Sequence, residues 1–343
     1  MKYPGKPLIL AFYICLLIVT FAFPVEIAKY GGEFMSIGVG SRALAMGGSY
    51  VAVGGDVTHS YWNPAGLAFI NYPEISAMHS RSFGGVVNYD YAGVATPIGA
   101  KSSFGMTLTR VAVDDIPYTA LPRPDLNIDA AYTDENGKTI ANRPYVERYV
   151  NDAEYALYLS YARQRNSAFS YGANVKLIRK GVGDNSAWGV GFDFGALWNV
   201  FDNLNYGINF QDMTTTVLAW DTGRRELISP TIKTGFASPL YFSSLKLKFL
   251  LTSDVDVRLE NRRTASNFHY GRMSADYHVG GEVRLRDLVA LRVGSDWGNF
   301  TAGAGIKLPR LEIDYAFLSH PELEVTHRVS LRLILEEDQF ARK

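Results

Sequence analysis

Alternation of apolar and polar residues at every second position is the feature that most constrains this fold, and it dominates the chain from Glu74 onward. A period of two predicts β-strands that have one apolar and one polar face. The runs extend over about nine to twelve residues, which is longer than the usual strand of a soluble sheet and suits a tilted strand that crosses a bilayer. The clearest run places Tyr277, Val279, Gly281, Val283 and Leu285 on one face and Asp276, His278, Gly280, Glu282 and Arg284 on the other.

The lengths of the connections between these runs alternate as well. Every second connection is short, whereas the other set contains all the long ones, namely 113–154, 212–229 and 255–275. Outer-membrane barrels have short periplasmic turns and long outer loops. A soluble β-sandwich shows similar alternation along its strands but has no reason to produce this asymmetry. We therefore predict an all-β fold, a transmembrane antiparallel β-barrel of about 14 strands at residues 74–336, with both termini in the periplasm and a tail at residues 337–343.

The first residues have the pattern of a secretory signal peptide, predicted at residues 1–22. Lys2 and Lys6 precede an apolar run from Leu8 to Phe23, and small residues stand near its end. This pattern is typical of export, although an uncleaved anchor helix is the alternative reading. The single cysteine, Cys15, lies inside this segment, so the mature chain would carry no thiol for disulfides or thiolate metal sites.

Charge and histidine placement exclude several classes of function. Lys+Arg and Asp+Glu number 34 each, so no summed basic field favours nucleic acid as a partner. His278 shares a predicted lumen face with two carboxylates, but no serine stands beside it in a nucleophile setting. The sequence therefore predicts no enzyme activity, no metal centre and no cofactor. The other histidines are scattered without metal-ligand spacing, at His59, His79, His269, His320 and His327.

A segment at residues 23–73 does not alternate and is predicted to form a short N-terminal helical plug or hatch. It contains GVGSRALAMGG from Gly38 to Gly48 and YWNPAGLA from Tyr61 to Ala68. Glycines permit positive φ and close backbone approach, and an Asn-Pro pair is suited to cap and begin a helical turn. These residues either seal the barrel or contact a ligand directly. The candidates are Gly38, Gly40, Arg42, Met46, Gly47, Gly48, Trp62, Asn63, Pro64 and Gly66.

The two motifs together resemble the head of the PorV/PorQ family of outer-membrane proteins, which are relatives of the FadL-type transporters. The resemblance covers about 35 residues and is specific in combination, whereas the remainder of the chain is similar only in architecture. It implies an N-terminal element inserted in the barrel lumen or packed beneath it.

Two functions follow from this resemblance, besides a purely structural role. The first is an accessory or shuttle component of type IX protein secretion, with translocon subunits or secreted cargo as partners at the outer loops. The alternative is a FadL-like passive transporter of hydrophobic small molecules. In both cases the remaining partner is the lipid of the cell outer membrane.

Overall fold

The computed structural model describes residues 26–27, 32–82, 84–260, 262, 266–319 and 325–342. The predicted signal peptide at residues 1–22 lies outside these residues. Within them, no helix is long and apolar enough to cross a membrane.

The chain forms a closed antiparallel β-barrel of fourteen strands, which confirms the predicted fold class. Closure occurs between the first and last strands, where Glu74 is paired with Ile334 and Arg81 with His327. The strands are β1 (Glu74–Ser82), β2 (Val87–Ile98), β3 (Ser102–Ala120), β4 (Tyr145–Asn166), β5 (Phe169–Val182), β6 (Asn185–Phe201), β7 (Leu204–Gln211), β8 (Thr231–Phe242), β9 (Leu247–Arg258), β10 (Met273–Leu285), β11 (Val289–Asp296), β12 (Asn299–Leu308), β13 (Leu311–Leu318) and β14 (Thr326–Ile334).

The two faces of the barrel wall differ as a membrane requires. On β3, Phe104, Met106 and Leu108 point outward and are 40%, 44% and 41% exposed, whereas Ser103 and Thr107 point inward and are buried. A soluble protein would hide the larger apolar side chains. Because the apolar face is the exposed one all around the wall, the exterior faces lipid and the interior is polar.

The predicted loop at residues 113–154 is wrong in part, because β3 continues to Ala120 and β4 begins at Tyr145. The two strands pair beyond the barrel rim with register shifts near Val113 and Tyr118. A small hairpin of Ala131–Thr133 and Thr139–Ala141 follows between them. The apolar alternation ends where the wall leaves the membrane, so the sequence period does not reveal this extension. Short strands also occupy the other two long connections, at Thr216–Trp220, Arg225–Ile228 and Phe268–Tyr270.

Pairing between β6 and β7 is interrupted in the middle of the wall. Phe210 on β7 is paired with Phe194 on β6, but the next residue paired with β6 is Val217, on the short strand Thr216–Trp220, opposite Val190. Asp212 and Thr215 between them have positive φ values of 53° and 61°, so the backbone bulges here.

The bulge is held by a buried ion cluster on the inner side of the wall. Lys176 Nζ lies 2.8 Å from Asp193 Oδ1 and 2.6 Å from Asp212 Oδ1, and its side chain is only 2% exposed. The Lys176 ammonium group is thus paired with both carboxylates, and buried charges are costly unless they are paired in this way.

The described N-terminal residues, 32–73, lie against the inner face of the barrel. We refer to them as the N-terminal segment. Its polar contacts reach strands on opposite sides of the wall: Ser41 N donates to Ser330 Oγ on β14 at 3.2 Å, and Asn209 Nδ2 on β7 donates to Trp62 O at 3.0 Å. Its helical elements are a 3-10 turn at Glu33–Ser36, α1 (Ser41–Ala45), α2 (His59–Trp62) and a 3-10 helix at Pro64–Phe69.

Glycines on the inner face of the wall make room for this segment. A Cβ added to any of them would lie within 3.0 Å of a segment atom, closer than real Cβ atoms come. Each such glycine faces inward on a different strand, and the absence of a side chain there lets the segment approach the wall closely. The glycines are Gly105, Gly172, Gly195, Gly207, Gly280, Gly294 and Gly303.

The C-terminal tail folds back onto the end of the N-terminal segment. After a 3-10 turn at Asp338–Phe340, the Arg342 guanidinium donates to Ile70 O at 2.6 Å from Nη2 and to Ser102 O at 3.2 Å from Nη1. The tail therefore ties the exit of the segment to the start of β3.

Two adjacent glycines on β10 test the packing of the segment. We expect Gly280→Ala to destabilise the folded protein by roughly 1–3 kcal/mol, because its methyl group would overlap Met46. Gly281→Ala is the matched control, since Gly281 faces outward and its Cβ would meet nothing closer than 3.6 Å. Thermal unfolding and limited proteolysis of the segment in the folded barrel measure both variants. Equal behaviour of the two variants would contradict this account of the glycines.

Candidate functional site

The glycine-rich motif forms the turns around α1. Gly38, Gly40, Gly47 and Gly48 have positive φ values of 84°, 79°, 68° and 74°, a conformation that other L-residues rarely adopt. Gly47 also lies directly against the backbone of Ser295, leaving no space for a Cβ. The sequence prediction that these glycines serve backbone conformation and close approach is thus consistent with the structure.

The second motif forms the centre of the segment. Asn63 Oδ1 accepts a hydrogen bond from Ala65 N at 3.1 Å, and Pro64 occupies the first turn of the 3-10 helix, as the Asn-Pro pair predicts. Asn63 Nδ2 also donates to Val51 O at 2.7 Å and to Ala196 O on β6 at 3.1 Å. This side chain therefore joins two parts of the segment to the wall.

Trp62 and Gly66 pack the two motifs together. Trp62 Nε1 donates to Val39 O at 2.8 Å, and a Cβ at Gly38 would lie 3.0 Å from the indole ring. Gly66 lies against the His59 ring with no space for a side chain. Met46 is fully buried between the segment and the wall. These contacts give each residue a packing role.

Arg42 links the segment to charged side chains of the wall. Its Nη2 and Nε donate to the two carboxylate oxygens of Glu282 at 2.8 and 2.9 Å. Glu282 also accepts from Arg292 Nε at 2.6 Å, and Arg292 Nη1 donates to Asp314 at 2.6 Å. Such bidentate pairs are strong when every charge is matched. These ion pairs form a ladder of mixed charges in the lumen, and it continues through Arg284, Glu312, Arg332 and Glu74.

A buried polar cluster lies next to Arg42 within the segment. Arg42 Nη1 donates to Tyr50 OH at 3.0 Å, and Tyr50 OH donates to Asp56 Oδ2 at 2.6 Å. The Tyr50 ring stacks on His59 with centroids 4.9 Å apart. Among the described residues neither His59 ring nitrogen has a hydrogen-bond partner. Burial lowers the pKa of His59 from its ordinary value of 6.5 to about 4, so the ring is neutral at physiological pH.

A cavity of about 510 Å³ opens inside the barrel at the end that carries the long loops. Phe34 and Ile37 of the segment and Tyr89 of β2 contribute apolar surface, together with Val111 of β3. Polar groups surround this surface: Arg328 Nη1 donates to Ile37 O at 3.3 Å and its guanidinium carbon lies 5.7 Å from the Tyr89 ring centroid. The remaining lining includes Glu33, Val113, Glu154, Asp296, Trp297, Thr301 and Leu318.

None of the ten sequence-derived candidates lines this cavity. They hold the segment together and against the wall, below the cavity floor. The apolar residues of the cavity are aliphatic and aromatic side chains on inner faces near the strand ends. In the sequence, only their position in the alternating pattern indicates that they face inward. Trp297, which parity places toward lipid, instead sits in a turn with a φ of 57° and borders the cavity.

Solved structures that share this fold include two hydrocarbon transporters and a FadL homologue. No family model and no curated protein matches the chain. The Ralstonia pickettii toluene transporter TbuX is 11% identical, with a TM-score of 0.57, over 87% of this chain and 98% of that chain. The CymD monoaromatic hydrocarbon channel is 12% identical, with a TM-score of 0.58, over 88% of this chain and 98% of that chain. A Pseudomonas aeruginosa FadL homologue is 12% identical, with a TM-score of 0.52, over 84% and 96%. At such identities the likeness shows a common barrel fold.

Removal of Arg42 tests the link between segment and wall. We expect Arg42→Ala to lower the free energy of unfolding by about 3 kcal/mol, because Glu282 loses one of its buried partners. Arg143→Ala is the control, since its ion pair with Asp129 is exposed and should contribute less than about 1 kcal/mol. Urea unfolding in detergent measures both. A loss for Arg42→Ala no larger than the control would show that the pair does not anchor the segment.

The buried His59 predicts a pH dependence. Because its folded pKa of about 4 is below the ordinary 6.5, stability is fully present above pH 6.5, falls as the unfolded chain takes up the proton, and reaches its full loss near pH 4. The loss amounts to roughly 3 kcal/mol. We expect His59→Phe, which retains a ring to stack on Tyr50, to lack this component. Unfolding free energies at pH 8 and pH 4.5 measure it, and an identical pH slope in both proteins would contradict the prediction.

Proposed function

We propose that this chain is an outer-membrane channel for the passive transport of hydrophobic small molecules. The observation that carries the proposal is the cavity of about 510 Å³ at the loop end of the lumen. Pockets of about 300–1,000 Å³ with apolar walls and few polar groups are typical of small-molecule sites. Phe34, Ile37 and Val111 provide such walls, and the cavity is open toward the long loops.

Solved structures of the same fold support the proposed substrate class. TbuX is a toluene transporter and CymD a monoaromatic hydrocarbon channel. In this proposal the chain lies in the outer membrane, after removal of a signal peptide, with its long loops outside and its termini in the periplasm. The apolar exterior of the barrel supports the membrane location.

The N-terminal segment acts in this proposal as the plug of the lumen. Its residues 33–37 form part of the cavity floor, and its fixed contacts with the wall lie beneath that floor. A molecule that enters from the loops would meet this floor, so passage requires the segment to shift. The motif residues Gly38 to Gly48 and Trp62 to Gly66 would then determine how firmly the plug is seated.

The accessory role in type IX secretion, as in the PorV/PorQ resemblance, stays a prediction that rests on the N-terminal motifs. TbuX and CymD, which are a toluene transporter and a hydrocarbon channel, give it no support. Affinity capture from solubilised outer membranes separates the two functions. A co-purified translocon barrel or secreted cargo would favour secretion, whereas a barrel without either would favour transport.

Filling the cavity tests the transport proposal. We expect Val111→Trp to reduce uptake of radiolabelled toluene by cells that produce the protein to the level of cells that lack it, because the indole would occupy the apolar part of the cavity.

Val329→Trp is the matched control for this test. Val329 lies on the outer face of β14 and is 48% exposed, so the same substitution there adds bulk toward lipid and should leave uptake unchanged. Uptake by Val111→Trp cells equal to that of the parent protein, at equal amounts of folded barrel, would refute the cavity as the entry site.

A further inference from the structure

A row of polar side chains crosses the outer face of β1 to β6 at the end nearer the long loops. On β3 the outward positions run from Phe104 through Leu108 and then change to Arg110. On β5 they run from Val175 through Leu177 and then change to Arg179. The change from apolar to charged residues at one level on neighbouring strands marks the border of the hydrocarbon layer.

Strand register makes the members of this row direct neighbours. Asp90 is paired with Arg110, Arg110 with Tyr155, Tyr155 with Arg179, and Arg179 with Trp188. Adjacent strands lie about 4.8 Å apart, so the two arginines stand about 10 Å apart on either side of one tyrosine.

The two guanidinium groups are only partly neutralised. Arg110 Nη1 lies 3.1 Å from Asp90 Oδ2, but Asp90 also binds His79 Nδ1 at 2.7 Å. Arg179 is exposed and lies over Trp188, 5.5 Å from the ring centroid. Within the described part of the chain no carboxylate forms an ion pair with Arg179. The outer face of the barrel therefore carries excess positive charge at this level.

The next outward row toward the long loops leaves the two arginines accessible. It consists of Ala112, Ala153 and Gly181, and a Cβ at Gly181 would meet only Ala153 O, at 3.7 Å. The nearest acidic group beyond that row is Asp114, which accepts a hydrogen bond from Asn88 at 3.3 Å. Because the residues of this row are small, none of their side chains is long enough to cover the two guanidinium groups.

We propose that this arginine pair binds the phosphate of an anionic lipid headgroup, with Arg110 and Arg179 as the ligating side chains and Tyr155 between them. A guanidinium group at the hydrocarbon border is costly unless it reaches a headgroup, and its planar array of donors matches phosphate oxygens. Trp188 and Tyr155 have the amphipathic character of residues at that depth. The inference rests on the placement of the barrel in a membrane and is independent of what passes through the lumen.

Native mass spectrometry of the purified full chain in neutral detergent tests this site. Titration with phosphatidylglycerol should give bound lipid at lower concentration than titration with phosphatidylcholine of the same acyl chains. We expect Arg110→Gln/Arg179→Gln to weaken phosphatidylglycerol binding about tenfold and to leave phosphatidylcholine binding unchanged. Arg110→Lys/Arg179→Lys should retain part of the preference, because the charges remain while the bidentate geometry is lost.

Arg163→Gln/Arg165→Gln is the matched control, because it removes two exposed arginines at the short-turn end of β4. Equal loss in both double variants would overturn the site, since the effect would then follow net charge. Equal affinity of the parent protein for both lipids would overturn it as well. If inorganic phosphate displaced the bound lipid at comparable concentration, the site would bind free phosphate and the lipid assignment would be wrong.

Two further variants keep the result interpretable. Arg179→Gln alone removes an exposed side chain without a carboxylate partner and replaces the double variant if the latter does not fold. Val111→Trp, which fills the lumen cavity, should bind phosphatidylglycerol as the parent protein does. Failure of the transport proposal and failure of the lipid site would therefore be seen in different measurements.

Discussion

The backbone hydrogen bonds of a membrane-spanning sheet have no water to satisfy them, and the rest of this structure depends on that constraint. The pairing of Glu74 with Ile334 closes the sheet, so neither β1 nor β14 presents a free edge to lipid. Closure in turn makes one face of every strand internal. The outer face is apolar because it contacts acyl chains. The inner face carries the polar side chains, which occupy the alternate positions of each strand.

The buried charges on the inner face of the wall need partners, and the N-terminal segment provides several of them. Glu282 is held between Arg42 of the segment and Arg292 of the wall, at 2.8 and 2.6 Å. Val51 N and Asp254 form a similar contact on another side. Without these donors from the segment, the carboxylates of the wall would lose buried partners in the lumen. Glycines of the wall then allow the segment's backbone to reach these positions.

The number of strands and the face on which each side chain lies could be predicted from the sequence, because both follow from a period of two. Phe192 and Phe194 face outward and Glu312 and Asp314 inward, as their parity requires. The extension of β3 to Ala120 could not be predicted, because outside the membrane both faces of a strand are wet and the alternation disappears. The cavity was missed for a different reason. Phe34, Tyr89 and Val111 come together from three separated parts of the chain, and no local pattern marks their meeting.

The cavity floor and the charged anchor belong to the same short stretch of chain, which couples them mechanically. Phe34 and Ile37 border the cavity, and Arg42 binds Glu282 only five residues after Ile37. A large displacement of the floor would therefore strain or break the Arg42–Glu282 pair, since a chain of n residues reaches at most about 3.3–3.6 Å × n and α1 shortens this stretch further. A hydrophobic molecule in the cavity would not compensate for the loss of that ion pair, because it would contact Phe34, Ile37 and the wall instead. In a transport cycle the segment would thus move as a unit or yield only between the 3-10 turn at Glu33–Ser36 and α1, where Gly38 and Gly40 provide the backbone freedom.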